Sequence, residues 1–504
     1  MFEAKGVSKR YGGVVALHPT DFAVAPGTVH ALLGENGAGK STVVKILTGS
    51  IAPDTGDVLQ EGQPVRLSTT ADAARRGVAV VSQELNLFPE LSVLANLFVN
   101  REPRRAGGLD RTVMRRRAEP VLDEVGVSLK RLDRPLGDLT LADQQLVEIA
   151  RALLVDPTVL VLYEPTSALE AVSTDNLMRI VGALRARGTG VVFVSHILEE
   201  VLSVSDEVTV LRDGRTVLSR MKRRDVTIAS VVEAMLGDRP DSSSLPRPVA
   251  AVAPAAEGGS LRVDRVPVVA DHAPVSLDIP PGEIVGLAGL LGAGHQEVLR
   301  LAAGFERPQA GHMLLPDGTP VPRPHRASVA AGIALVSGDR RATGLMLDKS
   351  LWENIAQVRS VALRRDGVLI RRRQLRERAA EQARRLTIKA RSVDSSAGSL
   401  SGGNQQKVVF AKWLELEPQI LLLDDPTRGV DTGAKDEMHR LIRAIAEQGA
   451  VVLLCSTDNK ELVDLCHRVV VFYRGEVAGE LTGEGLAIHR LLEAVNTGVI
   501  EAAA

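Results

Sequence analysis

Short apolar runs rich in β-branched residues recur along the chain and predict the strands of a parallel sheet. Such runs occupy residues 29–33, 159–163 and 190–194, and a further run ends at Gln83. Helical segments follow these runs, as expected for strands that are buried on both faces of a sheet. The alternation of strands and helices predicts an α/β fold.

Two helices are the clearest in the pattern. Residues 111–125 form one helical stretch, and residues 139–154 contain another with amphipathic periodicity from Gln144 onward. Earlier in the chain, residues 2–25 alternate short strand-like runs with turns, and residues 58–67 form an extended region. Tyr11 lies in one of these turns, where its ring either stacks on an adenine base or packs against the turn itself.

A glycine-rich loop separates the run at 29–33 from the next helical segment. It consists of Gly34, Glu35, Asn36, Gly37, Ala38, Gly39, Lys40, Ser41 and Thr42. Glycines let backbone N–H groups approach a triphosphate, and the start of the following helix attracts the same anion. In this spacing the lysine supplies a charge to the β and γ phosphates, and the serine hydroxyl is a ligand for Mg²⁺. The loop therefore predicts an ATP site with Mg²⁺, and the alternative is a turn that binds no ligand.

Two polar residues follow strands of the same predicted sheet. Glu164 comes directly after the run 159–163, and His196 follows the run 190–194 closely. Because the carboxyl ends of parallel strands meet at the edge where ligands bind, we expect both side chains to converge on the glycine loop. A lone histidine at a strand end is more often structural, but the shared edge favours a functional one.

The second half of the chain repeats the first. Residues 34–39 recur at 289–294, and Val81 recurs at Val336, both at an offset of 255. Thr140 matches Ser401 at an offset of 261, so we expect two copies of one domain with a small insertion in the second. The predicted domains are residues 1–238 and 261–504, joined by a Pro-, Ser- and Ala-rich linker at 239–260.

The copies differ at positions that carry chemistry. The second glycine loop has His295 and Gln296 in place of the lysine and the serine. The second copy also has Gly338 and Thr457 where the first has a glutamine and a histidine. We therefore expect the second half to hydrolyse nucleotide poorly, although its glycines can still hold phosphate.

In the other direction, the second copy has a helix-opening turn that the first copy lacks. The turn contains Ser401, Gly402, Gly403, Asn404 and Gln405. Its serine and two glycines predict a second anion-binding nest, whereas side chains at residues 140–142 of the first copy obstruct a close approach. The intact loop and the intact nest lie in different halves, so a single competent site forms if the halves face each other head to tail.

Composition excludes other classes of protein. A chain of 504 residues is too long for one core, which agrees with two domains. The net charge of -1 argues against a nucleic-acid binder that relies on a basic surface. No apolar run approaches the roughly 18 residues of a spanning helix, and the N-terminus has no apolar signal core, so we expect a cytoplasmic protein. We expect Cys455 and Cys466 to be unremarkable thiols in a reducing compartment, and the alternative is a metal pair of Cys466 with His467.

Taken together, several motifs resemble the ATP-binding cassette family. They are the glycine loop, Gln83, the segment LSGGNQQK at 400–407, the segment LLLDDPTRGVD at 421–431 and the pair Ser195–His196. The resemblance covers essentially the whole chain and indicates a fused two-cassette ATPase of bacterial importers for ribose, galactose, arabinose, xylose or rhamnose. It implies two tandem P-loop domains, each with a mostly parallel sheet and a helical subdomain.

The resemblance also implies a mechanism and partners. ATP-driven closure of the two cassettes would switch a membrane permease, which receives sugar from an extracellular binding protein. The chain would be peripheral, at the cytoplasmic face of the cell membrane, and would have no nucleic-acid partner. Selection of the sugar would belong mainly to the permease and the binding protein.

Residue roles follow from the same resemblance. Residues 40–42 would contact the phosphates and Mg²⁺, and Gln83 would link Mg²⁺ and the attacking water to the permease contact. Glu164 would orient or deprotonate that water, and His196 would clamp the γ-phosphate. Residues 401–405 would cap the nucleotide held by the other copy.

The chain departs from the family pattern at the strand that precedes Glu164. Tyr163 stands where the family has an aspartate that holds Mg²⁺ through its water shell, while the second copy keeps Asp424 but follows it with Asp425. A milder departure is Glu170, where the family usually has aspartate. We expect ATPase activity to persist, because Ser41 and the phosphates still ligate the ion directly.

Two alternatives stay open. One is a nucleotide-binding structural or regulatory subunit that no longer turns over, which Tyr163 motivates. The other is a soluble tandem-cassette protein that acts on ribosomes, which the short and mostly uncharged linker disfavours.

Overall fold

The computed structural model describes residues 1–35, 37–82, 85–105, 107–128, 130, 132–165, 171–195, 197–237, 259–290, 292–367, 369, 371–430 and 432–500. The chain falls into two compact units, Met1–Pro240 and Asp241–Ala504. Most of the predicted linker, residues 239–258, lies outside the described residues. Within the described ranges, each helix is too short or too polar to cross a membrane.

The N-terminal unit contains strands and helices in alternation. In chain order they are β1 (Phe2–Tyr11), β2 (Val14–Val24), β3 (Val29–Gly34), α1 (Lys40–Leu47), β4 (Thr55–Gln60), β5 (Gln63–Val65), α2 (Thr70–Arg75), β6 (Val78–Val81), α3 (Val93–Phe98), β7 (Arg104–Arg105), β8 (Gly108–Leu109), α4 (Arg111–Val125), α5 (Leu141–Leu153), β9 (Val159–Tyr163), α6 (Ala171–Ala186), β10 (Gly190–Val194), α7 (Leu198–Val204), β11 (Glu207–Arg212), β12 (Arg215–Lys222) and α8 (Ile228–Leu236).

The predicted apolar runs build the central sheet of this unit. Among the described residues its strand order is β12-β11-β3-β10-β9-β6. All neighbours are parallel except β12, which pairs antiparallel with β11 at the edge. Strands β3, β9 and β10 are buried almost throughout, because their continuous apolar side chains pack on both faces. The predicted parallel sheet is confirmed, and so are its strands at 159–163 and 190–194.

A second, antiparallel sheet covers α1. Its order in the described residues is β2-β1-β4-β5. Phe2, Val7 and Phe22 from this sheet share one apolar core with Leu32 of β3 and Val43 of α1. The helix that follows the glycine loop is therefore fixed between two sheets.

A helical region, α3 to α5, lies in sequence between β6 and β9. Each helix begins at a residue whose side chain accepts a backbone N–H, namely Ser92, Asp110 and Thr140. Helix α4 spans the predicted residues 111–125 and ends at Gly126, whose φ of 79° suits glycine. Helix α5 lies within the predicted stretch 139–154 and begins at Leu141, because the Thr140 side chain caps its first turn.

The C-terminal unit repeats this arrangement. Its elements are β13 (Leu261–Val266), β14 (Val275–Ile279), β15 (Ile284–Gly289), α9 (His295–Ala302), β16 (His312–Leu314), α10 (His325–Ala330), β17 (Ile333–Ser337), α11 (Leu351–Ala356), α12 (Arg372–Arg385), α13 (Gly402–Leu414), β18 (Ile420–Asp424), α14 (Thr432–Glu447), β19 (Val451–Cys455), α15 (Asn459–Leu465), β20 (Arg468–Tyr473), β21 (Glu476–Thr482) and α16 (Ile488–Thr497). The sheet order β17-β18-β19-β15-β20-β21 matches that of the N-terminal unit strand for strand. The predicted repeat of one domain is confirmed.

The structure locates the insertion and divides it in two. The Asn96 side chain accepts the Phe88 N–H and donates to the Phe88 carbonyl. Asn354 makes the same two bonds with Met346, so both residues of the pair are 258 positions later in the second unit. Three extra residues therefore precede Met346, in the segment that contains a π-helical turn at Arg340–Gly344. The other three lie between α11 and α12, where the offset becomes 261.

Candidate functional site

The glycine loop joins β3 to α1 at the carboxyl edge of the central sheet. A Cβ on Gly34 would lie 2.4 Å from the Leu211 carbonyl oxygen, so the adjacent strand leaves no room for a side chain. Gly39 has a φ of 101°, and a Cβ there would lie 2.9 Å from the Ala16 carbonyl oxygen. Both glycines are required by the backbone path. Asn36, one of the predicted contacts, lies outside the described residues.

Lys40 points back into this loop. Its Nζ donates to the carbonyl oxygens of Gly34 at 2.6 Å and Glu35 at 2.9 Å. The residue is only 5% exposed. Burial lowers the pKa of Lys40, while the carboxylates of Glu164 and Glu35 oppose that shift. An ammonium group is thus fixed at the glycine loop, where the sequence predicts the phosphates of ATP.

Ser41, the residue after Lys40, contacts the end of strand β9. Ser41 Oγ lies 2.7 Å from the Tyr163 hydroxyl, and either oxygen can be the donor. Tyr163 is the last residue of β9, which pairs in parallel with β10. Burial raises the pKa of Tyr163, which keeps its hydroxyl neutral. Thr42, the following residue of α1, is buried.

Glu164 lies at the same edge, and its backbone has a conformation that is rare for residues other than glycine. Its φ is 50°, and its backbone N–H donates to the Val194 carbonyl at 2.7 Å. This bond fixes the turn after β9 against the end of β10. Such strained residues concentrate at functional sites. His196, Gln83 and residues 166–170 lie outside the described residues.

Tyr11 ends β1 and pairs with Val14 across a tight turn. Its side chain is 47% exposed. The residue is therefore exposed rather than part of a core.

The second glycine loop presents a neutral ring where the first presents an ammonium group. His295 begins α9, is 6% exposed, and its Nδ1 has no hydrogen-bond partner among the described residues. Burial lowers the pKa of His295 to about 4, so it is uncharged at neutral pH. A Cβ on Gly289 would lie 2.8 Å from that nitrogen, which shows that the ring packs against the loop itself.

The acidic residues of the second copy are also differently engaged. Asp425 has a φ of 46° and occupies the place that Glu164 has in the first copy. Its Oδ1 accepts hydrogen bonds from Thr457, through the backbone N–H at 2.6 Å and the hydroxyl at 2.9 Å. Burial and the adjacent Asp425 raise the pKa of Asp424.

The two helix-opening turns differ in how they use their first side chain. In the N-terminal unit, the Thr140 hydroxyl accepts the Asp143 N–H at 3.1 Å. In the C-terminal unit, Ser401 makes no such cap bond within the described structure, and its Oγ lies 2.9 Å from Asn404 Nδ2. The serine hydroxyl is thus held by a side chain and leaves the first N–H groups of α13 uncapped.

Other members of this turn are fixed from outside it. Asn404 Oδ1 accepts the Lys389 N–H at 2.8 Å, and Gln405 Nε2 donates to the Leu400 carbonyl at 3.1 Å. A Cβ on Gly402 would lie 3.1 Å from the Gly429 carbonyl, so the turn passes close to the loop after β18. Gly403 is buried.

One contact of this region was not predicted from the sequence. Arg151 Nη1 donates to the Asn86 carbonyl at 2.6 Å, and Glu148 Oε2 accepts the Asn86 N–H at 3.3 Å. Both charged residues belong to α5, and they bind the segment that follows β6 and Gln83. The signal available in the sequence was an acidic and a basic residue three positions apart on the apolar face of an amphipathic helix.

No group of three His, Cys, Asp or Glu side chains suited to an ion occurs in the part of the chain that is described. Cys455 and Cys466 are buried free thiols, as expected, and burial raises the pKa of each. His467 Nδ1 accepts the Ile284 N–H at 3.0 Å, a structural role.

Known proteins resemble both units. A family model described as ABC transporter matches residues 17–167 and 273–428. Ribose import ATP-binding protein RbsA of Rhodococcus jostii (strain RHA1) is 39% identical, with 96% of this chain and 94% of that protein covered. RbsA 1 of Rubrobacter xylanophilus is 40% identical, covering 99% and 98%. RbsA 2 of Streptomyces coelicolor is 41% identical, covering 96% and 92%. The similarity therefore includes both glycine loops.

Proposed function

Because the chain belongs to the ABC transporter family, we propose that it is the ATP-binding subunit of a bacterial carbohydrate importer and couples ATP hydrolysis to sugar uptake. The observation that carries this proposal is the buried Lys40 ammonium in a glycine loop, at the sheet edge that also holds Glu164. The relatives covered almost end to end are named for ribose import, so ribose is the first sugar to test.

In this proposal residues 1–238 and 261–504 are the two cassettes, and residues 239–260 link them. The partners are the subunits of a membrane permease and, through them, an extracellular sugar-binding protein. The chain acts as a peripheral protein at the cytoplasmic face of the membrane and binds no nucleic acid. Tyr11 stacks on the adenine, since its exposed ring stands beside the turn at Gly12.

The N-terminal cassette performs hydrolysis. Loop residues 34–39 bind the phosphates through their N–H groups, and residues 40–42 add the ammonium and hydroxyl groups. Glu164 orients or deprotonates the attacking water, and His196 holds the γ-phosphate. Residues 401–405 contact the γ-phosphate when the transporter closes.

Mg²⁺ fits this site as an ion held mainly by the nucleotide. Mg²⁺ commonly keeps several waters and takes few protein ligands besides substrate phosphates, and the Ser41 hydroxyl at the start of α1 is a donor of the kind it takes. Ser41 would hold it directly, with Gln83 as a second ligand. When bound, the ion would neutralise charge on the phosphates.

A second candidate function is a regulatory subunit that binds ATP with little turnover. The hydrogen bond between Tyr163 and Ser41 favours this candidate, because a phenol stands where a carboxylate would face the metal. Steady-state turnover separates the two candidates.

The test uses the chain assembled with its permease in liposomes that contain the binding protein. We expect ATPase activity stimulated by ribose-loaded binding protein, together with ribose uptake. Lys40→Ala is the control for the N-terminal site. A turnover rate no higher than that of Lys40→Ala would contradict the proposed ATPase activity and favour the regulatory subunit.

A further inference from the structure

We propose that Tyr163 is a positioning residue that holds the Ser41 hydroxyl and thereby weakens the dependence of ATP binding on Mg²⁺. This inference rests on the proposed function, since it concerns the nucleotide site of the N-terminal cassette. It concerns a residue of this chain rather than a feature of the family pattern, in which an aspartate occupies the position.

The position is defined by strand register in both units. Tyr163 is the last residue of β9 and lies beside Val194 of β10. Asp424 is the last residue of β18 and lies beside Cys455 of β19. The next residue in each unit, Glu164 or Asp425, has the same left-handed backbone. Tyr163 therefore stands in the place that Asp424 has in the second copy.

The phenol reaches the one hydroxyl that is predicted to bind the metal. Ser41 Oγ and the Tyr163 hydroxyl are 2.7 Å apart, a normal distance for a hydrogen bond between hydroxyl groups. A serine hydroxyl has one proton and two lone pairs. A hydrogen bond to Tyr163 engages part of this capacity before any cation arrives.

This hydrogen bond limits how Mg²⁺ can bind beside the nucleotide. A cation must compete with Tyr163 for Ser41 or accept a neutral phenol as its neighbour, and neither arrangement adds negative charge. A carboxylate at this position would attract a divalent cation across a few ångströms. The wild-type chain should therefore gain less affinity for ATP from Mg²⁺ than a variant with a carboxylate at position 163.

The experiment measures binding of a fluorescent ATP analogue to the purified full-length chain, with excess EDTA and with Mg²⁺. The readout is the ratio of the two affinities, which does not depend on turnover. The affinity that is lost in Lys40→Ala is assigned to binding at the N-terminal loop. Tyr473→Phe is the matched control, because it removes a phenolic hydroxyl from the end of β20 in the other unit.

We expect Tyr163→Asp to raise the Mg²⁺-to-EDTA ratio roughly tenfold or more. Tyr163→Phe should raise it by a smaller factor, because it frees Ser41 without adding charge, and Tyr473→Phe should leave it unchanged. Equal ratios in wild type and Tyr163→Phe would overturn the role of the hydrogen bond. A lower ratio in Tyr163→Phe would overturn the proposal in the opposite sense, since the phenol would then assist the metal.

Loss of nucleotide binding at the N-terminal loop gives a different result and would overturn the proposed function as well. In that case the wild type would bind the analogue no better than Lys40→Ala with or without Mg²⁺. Loss of turnover alone in the assembled transporter would overturn the proposed enzyme and leave this inference standing. Binding that depends on Lys40 but whose Mg²⁺ ratio is the same in all Tyr163 variants would overturn this inference alone.

Discussion

Thr457 donates both its backbone N–H and its hydroxyl to the same oxygen of Asp425, at 2.6 and 2.9 Å. Asp425 occupies in the C-terminal unit the position of Glu164 in the N-terminal unit, with the same left-handed backbone. The shorter carboxylate is thus already engaged by the residue that replaces His196. This contact gives a physical reason to expect little hydrolysis at the second copy.

The first prediction compares these two acids. Glu164→Gln should lower the ATPase rate roughly 100-fold or more, because the side chain keeps its shape but can no longer accept a proton from water. ATP binding should be retained, since Lys40 keeps its hydrogen bonds to the carbonyl oxygens of Gly34 and Glu35. Single-turnover hydrolysis and nucleotide retention measure the two effects.

Asp425→Asn is the matched variant in the other unit. Its Oδ1 can still accept both bonds from Thr457, so we expect an ATPase rate near that of wild type. A comparable fall in both variants would mean that the second copy takes part in hydrolysis. An unchanged rate in Glu164→Gln would remove the role proposed for this glutamate.

The second prediction concerns pH and the buried imidazole of His295. Burial lowers the pKa of His295 in the folded chain to about 4, whereas an imidazole in the unfolded chain has its ordinary pKa of about 6.5. The unfolded chain therefore binds the proton first as pH falls. The free energy of unfolding is therefore independent of His295 titration above pH 6.5. It declines between pH 6.5 and 4, by up to about 3 kcal/mol.

His295→Leu should remove this decline and add about 1 kcal/mol at pH 7, because it also eliminates a buried nitrogen that has no hydrogen-bond partner among the described residues. Urea unfolding followed by tryptophan fluorescence measures the C-terminal unit, since both tryptophans, Trp352 and Trp413, belong to it. His312→Leu is the control at an exposed histidine. Identical pH profiles for His295→Leu and wild type would show that the imidazole is not buried in solution.

Local patterns were sufficient for much of the backbone. The strands at 159–163 and 190–194 and the helix at 111–125 each have a continuous signal in a few residues, and the structure reproduces them. The repeat offsets likewise predicted two domains of one topology. The offsets of 255 and 261 did not show that the six extra residues form two groups of three. The intermediate offset of 258 follows from helices α3 and α11 and from the paired contacts of Asn96 and Asn354.

Contacts between distant segments were harder to predict. The sequence placed Ser41 and Tyr163 at the same sheet edge, but 122 positions separate them and no local pattern shows that their hydroxyl groups meet. The sequence showed that His295 replaces the lysine of the first glycine loop. Its burial, with no partner for Nδ1 among the described residues, depends on how Gly289 and β20 pack around the ring. Tertiary packing decides such details.

The third prediction concerns the turn that begins α13. Gly402→Ala would place a Cβ 3.1 Å from the Gly429 carbonyl and displace the turn. We expect the ATPase rate to fall roughly tenfold or more through misplacement of the predicted γ-phosphate contacts, with little change in ATP affinity of the N-terminal loop. Rate and affinity are measured on the same preparation.

Leu141→Gly is the matched variant at the corresponding residue of α5. Leu141 is exposed, and its turn is already capped by Thr140, so this change should leave the ATPase rate nearly unaltered. If Gly402→Ala kept the wild-type rate, residues 401–405 would not contact the γ-phosphate.

The fourth prediction concerns the pair Glu148 and Arg151. Glu148 is 1% exposed, and burial raises its pKa while Arg151 lowers it. Arg151→Met leaves the carboxylate buried without its cation and should destabilise the N-terminal unit by about 3 kcal/mol at pH 7. Because a raised carboxyl pKa favours proton uptake in the folded state, part of this loss should be recovered as pH falls from 7 to 5.

A double-mutant cycle completes the test. Glu148→Leu combined with Arg151→Met removes both charges, so its destabilisation should be smaller than the sum of the single changes. Circular dichroism follows both units, and the part of its transition that tryptophan fluorescence does not detect belongs to the N-terminal unit. The segment after Gln83 should exchange its amide hydrogens faster in both Arg151 variants, since Arg151 donates to the Asn86 carbonyl. Additive losses with unchanged exchange would mean that the pair does not hold this segment against α5.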